Sequence, residues 1–140
     1  MRLTDSPRDS KKHRVTFDED GSHVDFGQRG AEDFTTHHDS ARMIRYLVRH
    51  RGHPMHPSLR LLSPTPNAVQ RALKVVHSLP NAVGAQEKWG YDETGAPVTE
   101  EELDRAVRTA GFWSRWLLWS KPSMREAIAL MLNRFNILVS

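Results

Sequence analysis

The stretch Ala110-Gly-Phe-Trp-Ser-Arg-Trp-Leu-Leu-Trp119 decides the fold of this chain and holds three of its four tryptophans. Aromatic side chains bury a large apolar area, and a buried indole N–H needs a hydrogen-bond acceptor. On a helix, the apolar residues of this Trp stretch (residues 110–119) run almost all the way round. Its own domain or a partner therefore has to enclose it. We predict a core, with an interaction surface as the alternative, formed by Phe112, Trp113, Trp116 and Trp119.

Helix-start signals lie on both sides of the Trp stretch. Thr99 and Glu102 have the spacing of a capping box, and so do Ser123 and Glu126. The first box predicts a helix that runs to Gly111, where the glycine ends or kinks it. The second predicts the last helix, whose apolar stripe comprises Met124, Ile128, Met131, Leu132 and Phe135. Residues 137–139 are a candidate third strand beside the hairpin described next.

The N-terminal part of the sequence predicts a β-hairpin. The segments His13-Arg-Val-Thr-Phe17 and His23-Val-Asp-Phe-Gly27 alternate polar and apolar residues around Asp20-Gly21, a pair that suits a two-residue type I′ turn. That turn would place Phe17 opposite Val24 and Val15 opposite Phe26. The polar residues 1–12 are predicted to be a disordered tail.

The middle of the chain predicts further helices. Asp39 is a candidate N-cap for a helix over residues 40–51, and Thr65-Pro66 opens a second one that stops before Pro80. Residues 80–98 are predicted to be a loop. The fold class that follows is α+β: one small domain over residues 13–140, in which four or five helices pack on the hairpin and a probable insert covers residues 51–86.

Composition narrows the class of protein. The sequence has 140 residues, no cysteine and a net charge of +3. We therefore expect no disulfide, and a reducing compartment. No apolar run approaches the roughly 20 residues that span a bilayer, and residues 1–12 lack a signal-peptide core. We expect no membrane span, no signal peptide and no cofactor, and a small-molecule substrate is not expected either.

The charges are unevenly distributed. Residues 40–86 hold seven Lys or Arg and no acid, whereas residues 87–104 hold seven acids and one Lys. The basic residues Arg42, Arg45 and Arg49 share one helix face at i, i+3 and i+7. With Arg51 and Arg60 they form a candidate phosphate-binding surface for nucleic acid. The alternative is a solvated face that pairs with the chain's own acids.

Two histidine patterns are candidates for metal binding or catalysis. His50, His53 and His56 repeat every three residues and are weak metal-ligand candidates, because Gly52, Pro54 and Pro57 break a helix there and no carboxylate is near. Thr36-His37-His38-Asp39 places an acid beside two imidazoles. Adjacent residues rarely have the geometry of a catalytic base and its orienting acid, and Asp39 is already expected to cap a helix. We predict no catalytic residues.

Three segments resemble a small family of uncharacterised proteins from large double-stranded DNA viruses of algae and amoebae. They are Phe26-Gly-Gln-Arg-Gly-Ala-Glu-Asp-Phe-Thr-Thr-His-His-Asp39, Arg45-Tyr-Leu-Val-Arg-His50 and Ala110-Gly-Phe-Trp-Ser-Arg-Trp-Leu-Leu-Trp-Ser-Lys-Pro-Ser123. Glu87-Lys-Trp89 and the last helix, which follows the third segment, also belong to the resemblance. In that family the Arg-His pair lies only a few residues from the Trp-containing segment, whereas residues 51–86 intervene here and residues 90–109 look like a second expansion.

The resemblance implies a viral setting, either the virion or a virus factory in the host cytoplasm, and it carries no catalytic residue. The expected function is that of a non-catalytic structural or protein-interaction protein of a large DNA virus, with other viral structural proteins as partners. The alternative is a basic nucleic-acid-binding accessory protein that uses the Arg42, Arg45 and Arg49 face.

Overall fold

The computed structural model describes residues 1–49 and 99–140. The first range forms strands β1 (Arg2–Asp5), β2 (Lys11–Thr16) and β3 (His23–Gln28), followed by helices α1 (Phe34–His37) and α2 (Ser40–Arg49). The second range forms α3 (Glu100–Ala106), α4 (Ala110–Trp113), the π-helical segment Ser114–Leu118 and α5 (Met124–Phe135). An antiparallel sheet beside helices confirms the α+β prediction. The helix predicted from residue 65, the loop at 80–98 and the insert at 51–86 lie outside the described residues.

The sheet has the order β1-β2-β3, with β2 in the middle. The prediction of a disordered tail over residues 1–12 was wrong, because these residues form β1 and begin β2. β1 pairs antiparallel with β2, with Arg2 opposite Thr16 and Asp5 opposite His13. An edge strand needs few apolar residues, and three of the four residues of β1 are exposed. No apolar alternation therefore marked it in the sequence.

The hairpin exists, but its predicted register was wrong by two residues. Val15 lies opposite Val24, and His13 lies opposite Phe26. The Phe17 N–H donates to the Ser22 carbonyl at 2.8 Å, which makes the loop four residues long instead of two. Because side chains alternate between the faces with a period of two, a shift of two residues leaves the apolar residues on their predicted face.

The chain end lies along the outer edge of β1. The Leu3 N–H donates to the Ser140 carbonyl at 2.8 Å, and the Ser140 N–H donates to the Met1 carbonyl at 3.0 Å. Residues 137–139 do not form the regular third strand predicted beside the hairpin. They leave α5 as an irregular segment because β1 takes the place next to β2.

Short side-chain caps position the helices of the first range. The N-cap of α1 is Asp33, whose carboxylate accepts the Thr35 N–H at 2.9 Å. Asp39 caps α2 as predicted and accepts the N–H groups of Ala41 and Arg42 at 3.0 and 3.2 Å. Carboxylate acceptors satisfy N–H groups that have no partner inside the helix.

The predicted caps of the second range are confirmed. The Glu102 N–H donates to Thr99 Oγ1 at 3.1 Å, and the Glu126 N–H donates to Ser123 Oγ at 3.2 Å. The predicted break at Gly111 was wrong, because α3 ends at Ala106 and Thr109 caps a new helix that contains the glycine. A threonine that accepts the Phe112 N–H at 3.3 Å starts this turn, so the chain bends before the glycine.

Candidate functional site

The Trp stretch lies in the core between the sheet and α5. Phe112 and Trp113 are fully buried, and Trp116 is 2% exposed. The Trp113 indole N–H donates to the Val107 carbonyl at 2.7 Å, and its ring lies 6.4 Å from that of Phe26 in β3. These three residues therefore lie in the core, and they do not form an exposed interaction surface. They fix β3, the end of α3 and the π-helical segment relative to each other.

Two guanidinium groups lie close to the Trp116 ring. Arg115 Cζ is 4.1 Å and Arg134 Cζ is 4.7 Å from the ring centroid, within cation–π distance. The pKa of Arg115 is lowered to about 9, mainly by burial and also by the positive charge of Arg134. The contact between Arg115 and the Trp116 indole is buried inside the domain.

Trp119 differs from the other members of the stretch, because it is partly exposed and contacts α1 and α2 as well as packing against the main core. Its ring stacks on Tyr46 with centroids 4.3 Å apart and planes 2° apart. It also lies 5.4 Å from the ring of His37. Trp119 therefore joins the Trp stretch to the helices that carry the basic residues.

His37 and Asp39 do not form a catalytic pair in this structure. The Asp39 backbone N–H donates to His37 Nδ1 at 2.8 Å, while the Asp39 carboxylate caps α2. Nδ1 is thus occupied as an acceptor, which favours the neutral form of the imidazole. Burial is the main cause that lowers the pKa of His37, and the Arg42 charge acts in the same direction.

The candidate nucleic-acid face is only partly described. Arg42 and Arg45 are exposed on α2, but Arg42 Nη1 lies 2.6 Å from Glu32 Oε2. The Arg49 side chain, Arg51 and Arg60 lie outside the described residues. So do the metal candidates His50, His53 and His56. Within residues 1–49 and 99–140, no group of three His, Cys, Asp or Glu side chains has the arrangement of a metal site.

A groove of about 590 Å³ opens where three distant segments meet. Residues 17–19 of the hairpin loop form one wall, α3 and the two residues after it form the second, and residues 136–138 form the third. The buried side chains Phe17 and Val107 form its floor, at 3% and 5% exposure. At the rim, Leu138 is 66% exposed. We call this feature the turn groove.

The rim of the turn groove is acidic. Four carboxylates line it, against the guanidinium of Arg108 and the amine of Met1. These are Asp18, Glu19, Glu100 and Asp104. The Met1 amine pairs with Asp18 at 2.8 Å, while Arg108 lies over the Phe17 ring at 4.1 Å and reaches Asp20 at 3.5 Å. Hydrogen bonds from Ser22, followed by the Arg108 charge, lower the pKa of Asp20.

Sequence reasoning missed the turn groove. The acids of α3 were recognised as an acidic segment, but nothing local indicated that α3 would lie beside the hairpin loop. The signal present in the sequence is the run Asp18-Glu-Asp20 in a turn next to a buried phenylalanine, together with a second acidic run at residues 100–104. Only the tertiary fold brings the two runs together.

Comparison with known proteins gives one match. Residues 1–50 are similar to a family of unknown function, DUF5754. This match covers the sheet, α1 and α2, and it ends before the Trp stretch. No curated protein and no solved structure matches the chain. Among the described residues, no helix is both long enough and apolar enough to cross a bilayer.

Proposed function

We propose that this chain is a non-catalytic structural or protein-interaction protein of a large double-stranded DNA virus, incorporated in the particle. The observation that carries the interaction function is the turn groove, which has a buried apolar floor and a leucine that is 66% exposed at its rim. A concave surface with an apolar floor and a few charged groups at its rim has the general composition of a binding site. The viral setting rests on the resemblance of the Trp stretch and its neighbouring segments.

The aromatic core supports this function, because it holds the three walls of the turn groove in place. Trp113 hydrogen-bonds to the Val107 carbonyl directly below the floor of the groove. Phe17 and Val107 themselves belong to the same core cluster as Trp113. A preformed surface loses little conformational entropy when a partner binds, so its contacts contribute fully to affinity.

Quantitative mass spectrometry of purified particles of the virus that encodes the chain tests this proposal. A structural protein should be present at many copies per particle, in constant ratio to other particle proteins. Detection only in infected-cell lysate, with none in purified particles, would overturn the particle assignment. Partners inside the particle would be other structural proteins, which crosslinking of intact particles at Leu138 would identify.

A nucleic-acid-binding function has one supporting observation, the exposure of Arg42 and Arg45 on α2. The ion pair with Glu32 argues against it, because a partnered guanidinium must give up that carboxylate before it binds phosphate. The test is retention on immobilised DNA and RNA across a salt series, with the triple variant Arg42→Glu, Arg45→Glu, Arg49→Glu as control. Absence of salt-sensitive retention by the wild type at low ionic strength removes this function.

A further inference from the structure

The turn groove already holds one arginine of the chain itself. The Arg108 guanidinium lies over the Phe17 ring, donates to Ser22 Oγ and sits 3.5 Å from Asp20 Oδ2. An aromatic face, a carboxylate and a hydroxyl are the partners that a planar guanidinium prefers. The surface at this end of the groove is therefore suited to binding a guanidinium group.

The carboxylates farther along the rim can still bind a cationic group of a partner. Among the described residues, the ion pairs of this region use Asp18, Asp20 and Glu101. Glu19, Glu100 and Asp104 line the groove without such a pair. Glu100 and Asp104 are four residues apart on α3, so their side chains lie on the same helix face about 5–6 Å apart at Cβ. That spacing fits the two edges of one guanidinium.

The apolar part of the groove lies next to these carboxylates. Ile137 is partly buried and Leu138 projects into water on the opposite wall, above the floor made by Phe17 and Val107. An apolar side chain placed on this floor would cover Leu138, and its burial would contribute about 25 cal/mol for each Å² removed from water. The groove volume of about 590 Å³ is within the range of sites that hold several side chains.

We propose that the turn groove binds a segment of a partner protein in which an arginine stands beside an apolar residue. This inference deepens the proposed interaction function and rests on it. The arginine binds between Glu100 and Asp104, and the apolar side chain binds beside Val107 against Leu138. The occupant is a basic peptide because the unpaired groups of the rim are all carboxylates. Arginine suits it better than lysine because its rigid planar guanidinium presents paired N–H donors along more than one edge.

The experiment is titration of the full chain, labelled with ¹⁵N, with the peptide acetyl-Gly-Leu-Arg-Leu-Gly-amide. Two matched peptides replace the arginine with citrulline, which keeps the shape without the charge, or both leucines with glycine. We expect saturable shifts at Glu100, Asp104, Val107 and Leu138. The citrulline and glycine peptides should each bind at least tenfold more weakly.

Protein variants locate the site. The double variant Glu100→Gln, Asp104→Asn should weaken binding at least tenfold, and Leu138→Ala should weaken it severalfold. The control Asp9→Asn, Glu101→Gln removes the same charge at exposed positions outside the groove and should bind like the wild type. Circular dichroism and the undisturbed ¹⁵N spectrum of the core establish that each variant is folded.

Several results would overturn the inference. NMR shifts that do not saturate would show only diffuse charge attraction. So would shifts that the control variant reduces as much as the groove variant does. If the free protein self-associates in sedimentation experiments and the groove variants abolish this, the occupant is a second copy and not a partner peptide. Each of these results leaves the particle test unaffected, so a failure of this inference is distinct from a failure of the proposed function.

Discussion

Gly27 in β3 and Leu118 in the π-helical segment are in direct contact. A Cβ atom added to Gly27 would lie 2.9 Å from Leu118 Cδ1, and Gly27 has a φ of +78°. Both the backbone conformation and the packing of the sheet on the Trp stretch thus depend on the missing side chain at this position.

Gly27→Ala should lower the free energy of unfolding by about 2–4 kcal/mol, since it combines a left-handed residue with overpacking against a buried leucine. Gly21→Ala is the matched control, because Gly21 has a φ of +72° but nothing within 4 Å of its added Cβ. It should cost only about 1–2 kcal/mol. Urea denaturation of the two variants measures the difference, and equal losses would mean that the Leu118 contact is not tight.

Asp25 should make stability fall in acid. The hydrogen bonds from Arg14 are the main cause that lowers the pKa of this carboxyl to about 2, from an ordinary value of 3.8. Because the folded pKa is lower than the unfolded one, the contribution is complete above pH 4 and is lost as the pH falls to about 2. It amounts to about 1–2 kcal/mol. Asp25→Asn should flatten this part of a stability–pH curve measured by urea denaturation.

His37 should make stability fall at a higher pH. Burial lowers its pKa below 6.5, and protonation would remove the acceptor of the Asp39 N–H. The unfolded chain therefore takes up the proton first, and stability decreases as the pH drops from about 6.5 through the folded pKa. His37→Gln keeps an acceptor for the N–H and cannot titrate, so it should remove this slope. An NMR titration of the imidazole that gives a midpoint above 6.5 would contradict the burial argument.

Trp119→Ala should release α2 from the rest of the fold, because it removes the ring that stacks on Tyr46 and contacts His37. We expect a loss of about 2–3 kcal/mol, less than for a fully buried tryptophan. Hydrogen exchange should accelerate most at the amides of residues 43–46 and little in the sheet. Trp119→Phe keeps part of the stack and should give an intermediate effect, whereas uniform acceleration in both regions would show that Trp119 supports the whole core.

Features with a local physical cause could be predicted from the sequence. Asp39, Thr99 and Ser123 cap helices because a short oxygen-bearing side chain satisfies N–H groups two or three residues away. The burial of Phe112, Trp113 and Trp116 follows from their apolar area alone. The placement of Val15 and Phe26 on the apolar face of the hairpin follows from the two-residue period of a strand.

Features that depend on distant segments could not be predicted. β1 is polar and becomes a strand only because β2 offers it a hydrogen-bonding edge. The hairpin register depends on a four-residue loop that Asp20-Gly21 alone does not specify. The turn groove forms only when the hairpin loop, α3 and residues 136–138 come together. No local sequence pattern predicts that these segments are neighbours.

The pairing of Ser140 with Met1 has a practical consequence for engineering the protein. The two chain ends lie hydrogen-bonded side by side along β1, with the Ser140 N–H 3.0 Å from the Met1 carbonyl oxygen. Because Met1 lines the turn groove, an affinity tag at either end would sit beside its mouth, and purification tags should be cleaved before peptide binding is measured.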